Sequence, residues 1–390
     1  MKTPANYRRN FWSAAFLMAT SAIGPGFLTQ TTLFTQQLLA GFGFVIAVSI
    51  LIDIVVQLNI WRIIVGINKP AQEIANALFP GLGAFLSLII IFGGFAFNIG
   101  NIAGAGLGLE VITGMNIRIC AITSAAIGIG LLLAKDASKA MDNFVKVLGI
   151  LMIGLTAYVA FAAKPPLKEV IYRTVWPVKP DWKAVITIVG GTVGGYICFA
   201  GAHRLLDTKS TAPYELKQVS AAAVKGILTA SSMRILLFLA TLGVVTKGLV
   251  PDPSNPAAGV FRLAAGEMGF RFFGIVMWSA AITSVIGSAF TSVSFISTYH
   301  PFLEKNKRGL MMAFILLSTI IFLWVGKPVD LLVWAGLING LILPLSLLIL
   351  LAAVQFKRIS KSYQHPKWLT ISGVLVALCL AIIAGQVMIR

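Results

Sequence analysis

Ser21–Leu38 reads SAIGPGFLTQTTLFTQQL and lies inside an apolar run that extends from about residue 11 to 39. A run of that length is more than enough for a helix to cross a bilayer, which takes ~20 residues. Its middle is not apolar. Gly24, Pro25 and Gly26 interrupt helix geometry, and Thr29, Gln30, Thr31, Thr32, Thr35, Gln36 and Gln37 follow. In hydrocarbon a broken helix strands backbone N–H and C=O groups, at a cost of several kcal/mol each. It survives only where protein or a water-filled cavity supplies partners. The plain alternative is a proline kink whose threonines bond back to their own helix.

Composition places the rest of the chain in the same environment. Of 390 residues, 58% are hydrophobic and 11% charged, against about 25% charged in soluble domains. The chain is expected to be an all-α multi-pass membrane protein with one transmembrane domain over residues 1–390. Eleven spans are expected, near 11–39, 44–66, 81–111, 117–134, 143–163, 184–203, 218–246, 271–298, 308–326, 329–354 and 368–389. The net charge of +18 does not point to nucleic acid, because the basic residues fall mostly in short loops. With the N-terminus in the cytoplasm, inner segments hold 19 Lys and Arg and outer segments 11. That bias predicts N-terminus in and C-terminus out, in a plasma (inner) membrane. Cys120, Cys198 and Cys379 stand alone, so neither a disulfide frame nor a metal-binding cysteine pair is expected.

Span six carries the second interruption, Gly190-Gly191-Thr192-Val193-Gly194-Gly195-Tyr196. Four glycines cost an ordinary helix roughly 1 kcal/mol each against alanine, although the Gly190 to Gly194 spacing also suits close helix packing. A proline- and aromatic-rich outer loop, 164–183, divides the chain into 1–163 and 184–354, with an extra span in 355–390. Each half thus begins with an interrupted helix, and paired interruptions mark a transporter's central site.

At this point the sequence resembles the NRAMP family of metal-ion transporters. GPGFL at 24–28, INKPAQEIANALFP at 67–80, KAMDNFVKVLGILMIGLTAYVAFAAKP at 139–165, FRFFGIVMWSAAITSVIGSAFTSVSFI at 270–296 and LLVWAGLINGLILPLSLLILLAA at 331–353 carry the likeness. The resemblance implies a LeuT-type inverted repeat, spans one to five and six to ten, with spans one and six broken. It also implies metal and proton residues that this chain lacks. Thr35, Gln36, Gln37 and Leu38 stand where the family has Asp-Pro-Gly-Asn, and Gly194, Gly195 and Tyr196 stand where it has Met-Pro-His. Asn98 and Asn101 replace an Asp and a Glu of span three, and Gly201 a histidine of span six.

The residues themselves argue the same way. Spans one, three and six hold no acid in their apolar parts, and a stripped divalent cation needs charge compensation and, for transition metals, nitrogen or sulfur ligands. Hydroxyls, amides, glycine backbone, a phenol and a thiol suit a small anion or a neutral or zwitterionic solute better. The expected substrate-binding set is Thr31, Thr32, Thr35, Gln36, Gln37, Gly191, Gly194, Gly195, Tyr196 and Cys198, with breaks at Gly24, Pro25, Gly26 and Gly190 and no metal ligands. Asp53 and Arg234, charged at membrane depth, are expected to pair or to form a gate. Asn98, Asn101 and His203 are further pathway or coupling candidates. Trp12, Trp61, Trp278, Trp324, Trp334 and Trp368 read as interfacial anchors.

The expected function is a secondary transporter by alternating access, working on a small solute or ion within a lipid bilayer, without a cofactor or nucleic acid. A divalent-metal transporter with an atypical site and a non-transporting membrane sensor are the alternatives. No catalytic constellation appears, so an enzyme is not expected.

Overall fold

The computed structural model describes residues 18–19, 22–134, 137–207, 216–297, 299–360 and 363–389. Secondary structure there is entirely helical, without strands. Among these residues eight helices are long and apolar enough to cross a membrane, and a ninth arises where Gly149–Ala163 turns by 105° into Leu167–Val175. The helix Ile117–Leu133 is apolar but shorter. Pro25–Ile67 is continuous by length but contains a break at Leu39 (φ 50°, ψ −133°), which separates spans one and two. Within the described residues each of the eleven expected segments is helical apart from the breaks in spans one and six. The expected start of span one, from residue 11, lies mostly outside the described residues.

Local chemistry explains most boundaries. Pro25 opens the helix Pro25–Leu38, where its missing N–H is no loss and its fixed φ suits the first turn. Span two, Phe42–Ile67, ends on Asn68 in the left-handed region, φ 56°, which asparagine tolerates better than most side chains. Span three, Leu82–Thr113, ends on left-handed Gly114. The expected surface helix after span two is present as Ala71–Leu78.

Two expectations on boundaries need correction. The outer segment 164–183 contains a helix, Leu167–Val175. Its Pro165-Pro166 start was legible as a loop but equally opens a helix. Span eight lies as expected, in the helix that follows a kink at Gly266, φ 67°, while a separate helix begins before it at Pro256. Span six continues to Asp207 after its break.

The spans pack in two groups. Span two packs against spans one, six and seven, and span three against spans four, eight and nine, with the broadest interface between three and eight, while span one also touches spans three and eight. Span ten, Pro328–Gln355, lies against both groups, touching spans one, three and six. Span eleven, Lys367–Ile389, packs outside spans two and ten. Span six is the most enclosed, with every residue of its most apolar stretch buried.

Two tryptophans are not interfacial. Trp61 is fully buried and donates Nε1–H to the carbonyl of Cys198 at 2.9 Å; Trp278 donates to Ser124 Oγ at 2.9 Å. Buried indoles need such an acceptor. Trp324, Trp334 and Trp368 are exposed, as anchoring residues are. Trp12 lies outside the described residues.

Candidate functional site at the two helix breaks

Break one lies at Ile23-Gly24. Gly24 is extended (φ −106°, ψ −176°) and Pro25 begins the helix that follows. Gly26 lies within that helix rather than at the break. Break six lies at Gly194-Gly195: the helix Trp182–Val193 stops, Gly194 is extended, Gly195 takes φ 52°, and a helix restarts at Tyr196. Both breaks thus present the start of a half-helix, where first-turn N–H groups lack helical partners and carry partial positive charge.

Gly190, expected as a break, is a correction: it lies in regular helix, and Gly191 follows it in the same helix. A Cβ on Gly190 would overlap the backbone of Gly336 and Gly340 in span ten, so this glycine serves close helix packing.

Around the breaks, buried polar atoms outnumber their partners. Thr31 and Thr35 hydroxyls bond back to the carbonyls of Phe27 and Thr31, at 2.7 and 2.6 Å, and so are spent on their own helix. Thr32 and Thr29 are buried with unpaired hydroxyls. Gln36 keeps an unpaired Nε2. Gln37 is exposed and stands apart from the enclosed group. Tyr196 is 1% exposed, packs edge-on against Phe97 at 5.6 Å between centroids, and faces the Asn101 side chain. Cys198 directs its thiol back to the Gly195 carbonyl at 3.6 Å.

The two span-three asparagines differ. Asn98 is tied on both sides: it donates to Ser318 Oγ at 3.1 Å and accepts from Ser288 Oγ at 3.0 Å. It joins spans three, eight and nine. Asn101 instead has an unpaired Nδ2 and lies beside Gly24, near Ser284, whose hydroxyl is also buried and unpaired.

Asp53 and Arg234 come together, through an intermediary. Both are buried, at 1% and 2% exposure. The Thr192 hydroxyl accepts from Arg234 Nη1 at 2.8 Å, donates to the Ile188 carbonyl at 2.8 Å and lies beside the Asp53 carboxylate. The guanidinium stacks over Phe27, 4.1 Å from the ring centroid. Phe27 follows break one and Thr192 precedes break six, so the charges of spans two and seven meet where both broken helices change course. His203 is partly buried against Phe295, and its Nε2 accepts from the Ala71 N–H at 3.5 Å. It thereby caps the start of the helix after span two.

Two residues outside the expected set belong to this group. Gln30 is fully buried, donates Nε2–H to the Leu332 carbonyl at 2.7 Å, lies between Gly191 and Gly336, and has an unpaired Oε1. Asn339 donates to the carbonyls of Gly93 and Ala335 at 2.9 and 2.8 Å, with its Oδ1 unpaired against Gly195. The signal for Asn339 was an isolated amide between two glycines in an otherwise apolar span. Each buried polar atom left without a protein, water or solute partner costs about 1–3 kcal/mol. Among the described residues no group of three or more His, Cys, Asp or Glu side chains comes together.

Comparison with known proteins agrees with this architecture. The chain is 53% identical over 385 residues to an uncharacterized membrane protein of Bacillus subtilis (strain 168), YcsG, covering 98% of this chain and 95% of that one. A manganese transporter of Eremococcus coleocola, solved with an aromatic bis-isothiourea compound, superposes with TM-score 0.74 at 13% identity, covering 98% of this chain and 87% of that one. MhsT in complex with L-phenylalanine superposes with TM-score 0.65 at 16% identity, covering 96% and 98%. The sequence pattern of one family matches residues 15–390. The chain is a multi-pass membrane protein of LeuT-type fold and belongs to the natural resistance-associated macrophage protein-like (Nramp) family.

Proposed function

We propose that the protein is a secondary transporter that carries a small solute other than a transition-metal ion, by alternating access, with the solute held between the breaks of spans one and six. One observation carries this reading. Apart from Asp53 and Arg234, whose charges offset each other, the unpaired atoms near the breaks are amide and hydroxyl groups of Gln30, Asn101, Ser284, Thr29, Thr32 and Asn339. Such groups recognise a small organic molecule or anion by hydrogen bonds, and none compensates the charge of a stripped divalent cation. The fold does not choose between substrates, since one solved relative of this fold is a manganese transporter and another was solved with L-phenylalanine. Asn98 and Asn101 do not titrate, so movement is not proton-driven through span three. The orientation proposed is N-terminus inside, following the loop charge bias.

A divalent-metal transporter is the second reading, favoured by family membership. Uptake by the full chain in proteoliposomes, with manganese beside a panel of small anions and amino acids, separates the two. Uptake of an organic solute that is lost in Tyr196→Ala, without manganese flux, is expected. Saturable manganese uptake would reverse the assignment.

A further inference from the structure

Arg234 has an unusual surplus. Its side chain is 2% exposed at the centre of a membrane bundle, yet only Nη1 has a hydrogen-bond partner. Nε and Nη2 have none. These two nitrogens form one edge of the guanidinium, with parallel N–H bonds at the spacing of two carboxylate oxygens. Thr192 and the Phe27 ring hold the plane of the group, one at the far edge and one against its face. The fork is therefore oriented by the protein, and the hydrogen-bonding capacity of its Nε/Nη2 edge is unused. Asp53 does not close it, because its Oδ1 has no hydrogen-bond partner and neither have Nε and Nη2 of Arg234.

We infer that the Nε/Nη2 edge of Arg234 is the seat for the carboxylate of a small monoanionic solute, a substrate class that rests on the transporter reading above. Charge limits the choice. Asp53 and Arg234 together are neutral, so one added negative charge is drawn to the fork while a second would be repelled by the Asp53 carboxylate. A planar monocarboxylate meets the fork with a single charge, whereas sulfate, and phosphate in its dianionic form, bring the second. The position fits as well, since Phe27 and Thr192 lie within three residues of the two breaks. A solute anchored there bridges spans one, six and seven.

The test uses the full chain in detergent and in proteoliposomes. The probes are short-chain aliphatic, hydroxy- and aminocarboxylates, each paired with its neutral amide, together with inorganic phosphate and manganese. The wild-type protein should gain thermal stability from at least one monocarboxylate and not from its amide, and should take up that compound. Arg234→Lys, which keeps the charge and removes the fork, should raise the half-saturation concentration by at least about tenfold. Its melting temperature and elution volume report whether it is folded; if it is not, the wild-type comparison of acid with amide still decides. Uptake of neutral solutes or phosphate without a preference for carboxylates overturns the Arg234 seat and leaves a non-metal transporter standing. Manganese uptake alone overturns both. No response to any monocarboxylate overturns the seat.

Discussion

The carboxamide of Asn339 closes on Gly195. Its Nδ2 is held by the carbonyls of Gly93 and Ala335, and a Cβ on residue 195 would overlap its Oδ1. Gly195 also has φ 52°, which costs a residue with a Cβ about 1–2 kcal/mol. Strain and overlap act together in Gly195→Ala. That variant is expected to lose at least about 2 kcal/mol of stability and to transport at least tenfold more slowly, as read by thermal melting and proteoliposome uptake. Wild-type uptake would show that break six is not organised by this contact.

Gly190 tests a different use of glycine. It packs on the backbone of span ten, whereas Gly385 in span eleven has open space around its Cα. Gly190→Ala should reduce the yield of monodisperse protein by size-exclusion chromatography, because neither backbone can retreat. Gly385→Ala should melt at or slightly above wild type, since alanine is favoured in helices by about 1 kcal/mol. Equal behaviour of the two variants would contradict the packing argument.

Asn98 and Asn101 should separate stability from transport. Removing the Asn98 side chain leaves the Ser288 and Ser318 hydroxyls without a shared partner, so Asn98→Ala is expected to cost about 1–3 kcal/mol. Asn101 already has an unpaired Nδ2 beside break one. Asn101→Ala should melt closer to wild type yet take up solute severalfold more slowly. The reverse pattern would place the solute elsewhere.

A pH dependence follows from the segment between spans ten and eleven. His365 Nδ1 lies 2.6 Å from the Tyr363 hydroxyl and Nε2 lies 2.8 Å from Asn59 Oδ1. Burial, and then the neighbouring Arg62 charge, push the imidazole down to about 4, while burial pushes the Tyr363 phenol up to about 12. A histidine lowered on folding binds fewer protons folded than unfolded between its two values. Its contribution is therefore present above about 6.5 and declines as pH falls toward 4. The melting temperature should drop across that window, and His365→Gln should flatten the drop. An unchanged slope in the variant would assign the acid sensitivity to other groups.

Sequence and tertiary structure contributed different things. Hydropathy and the paired glycine-rich interruptions in spans one and six were enough for the class, the helices and the presence of two breaks, because insertion and helix breaking are governed by local chemistry. The placing of break six at Gly194-Gly195 and not at Gly190 came from the packing of span ten on Gly190. The separation of Asp53 and Arg234 along the chain said only that each was out of place in hydrocarbon. Packing brought them together on Thr192. Likewise Thr31 and Thr35 looked available but bond within their helix, Asn98 is consumed by Ser288 and Ser318, and Gln37 is exposed. Gln30 and Asn339 entered the group instead. Which polar atom remains unpaired depends on what six other helices place opposite it, and that information exists only once residues far apart in the chain are packed side by side.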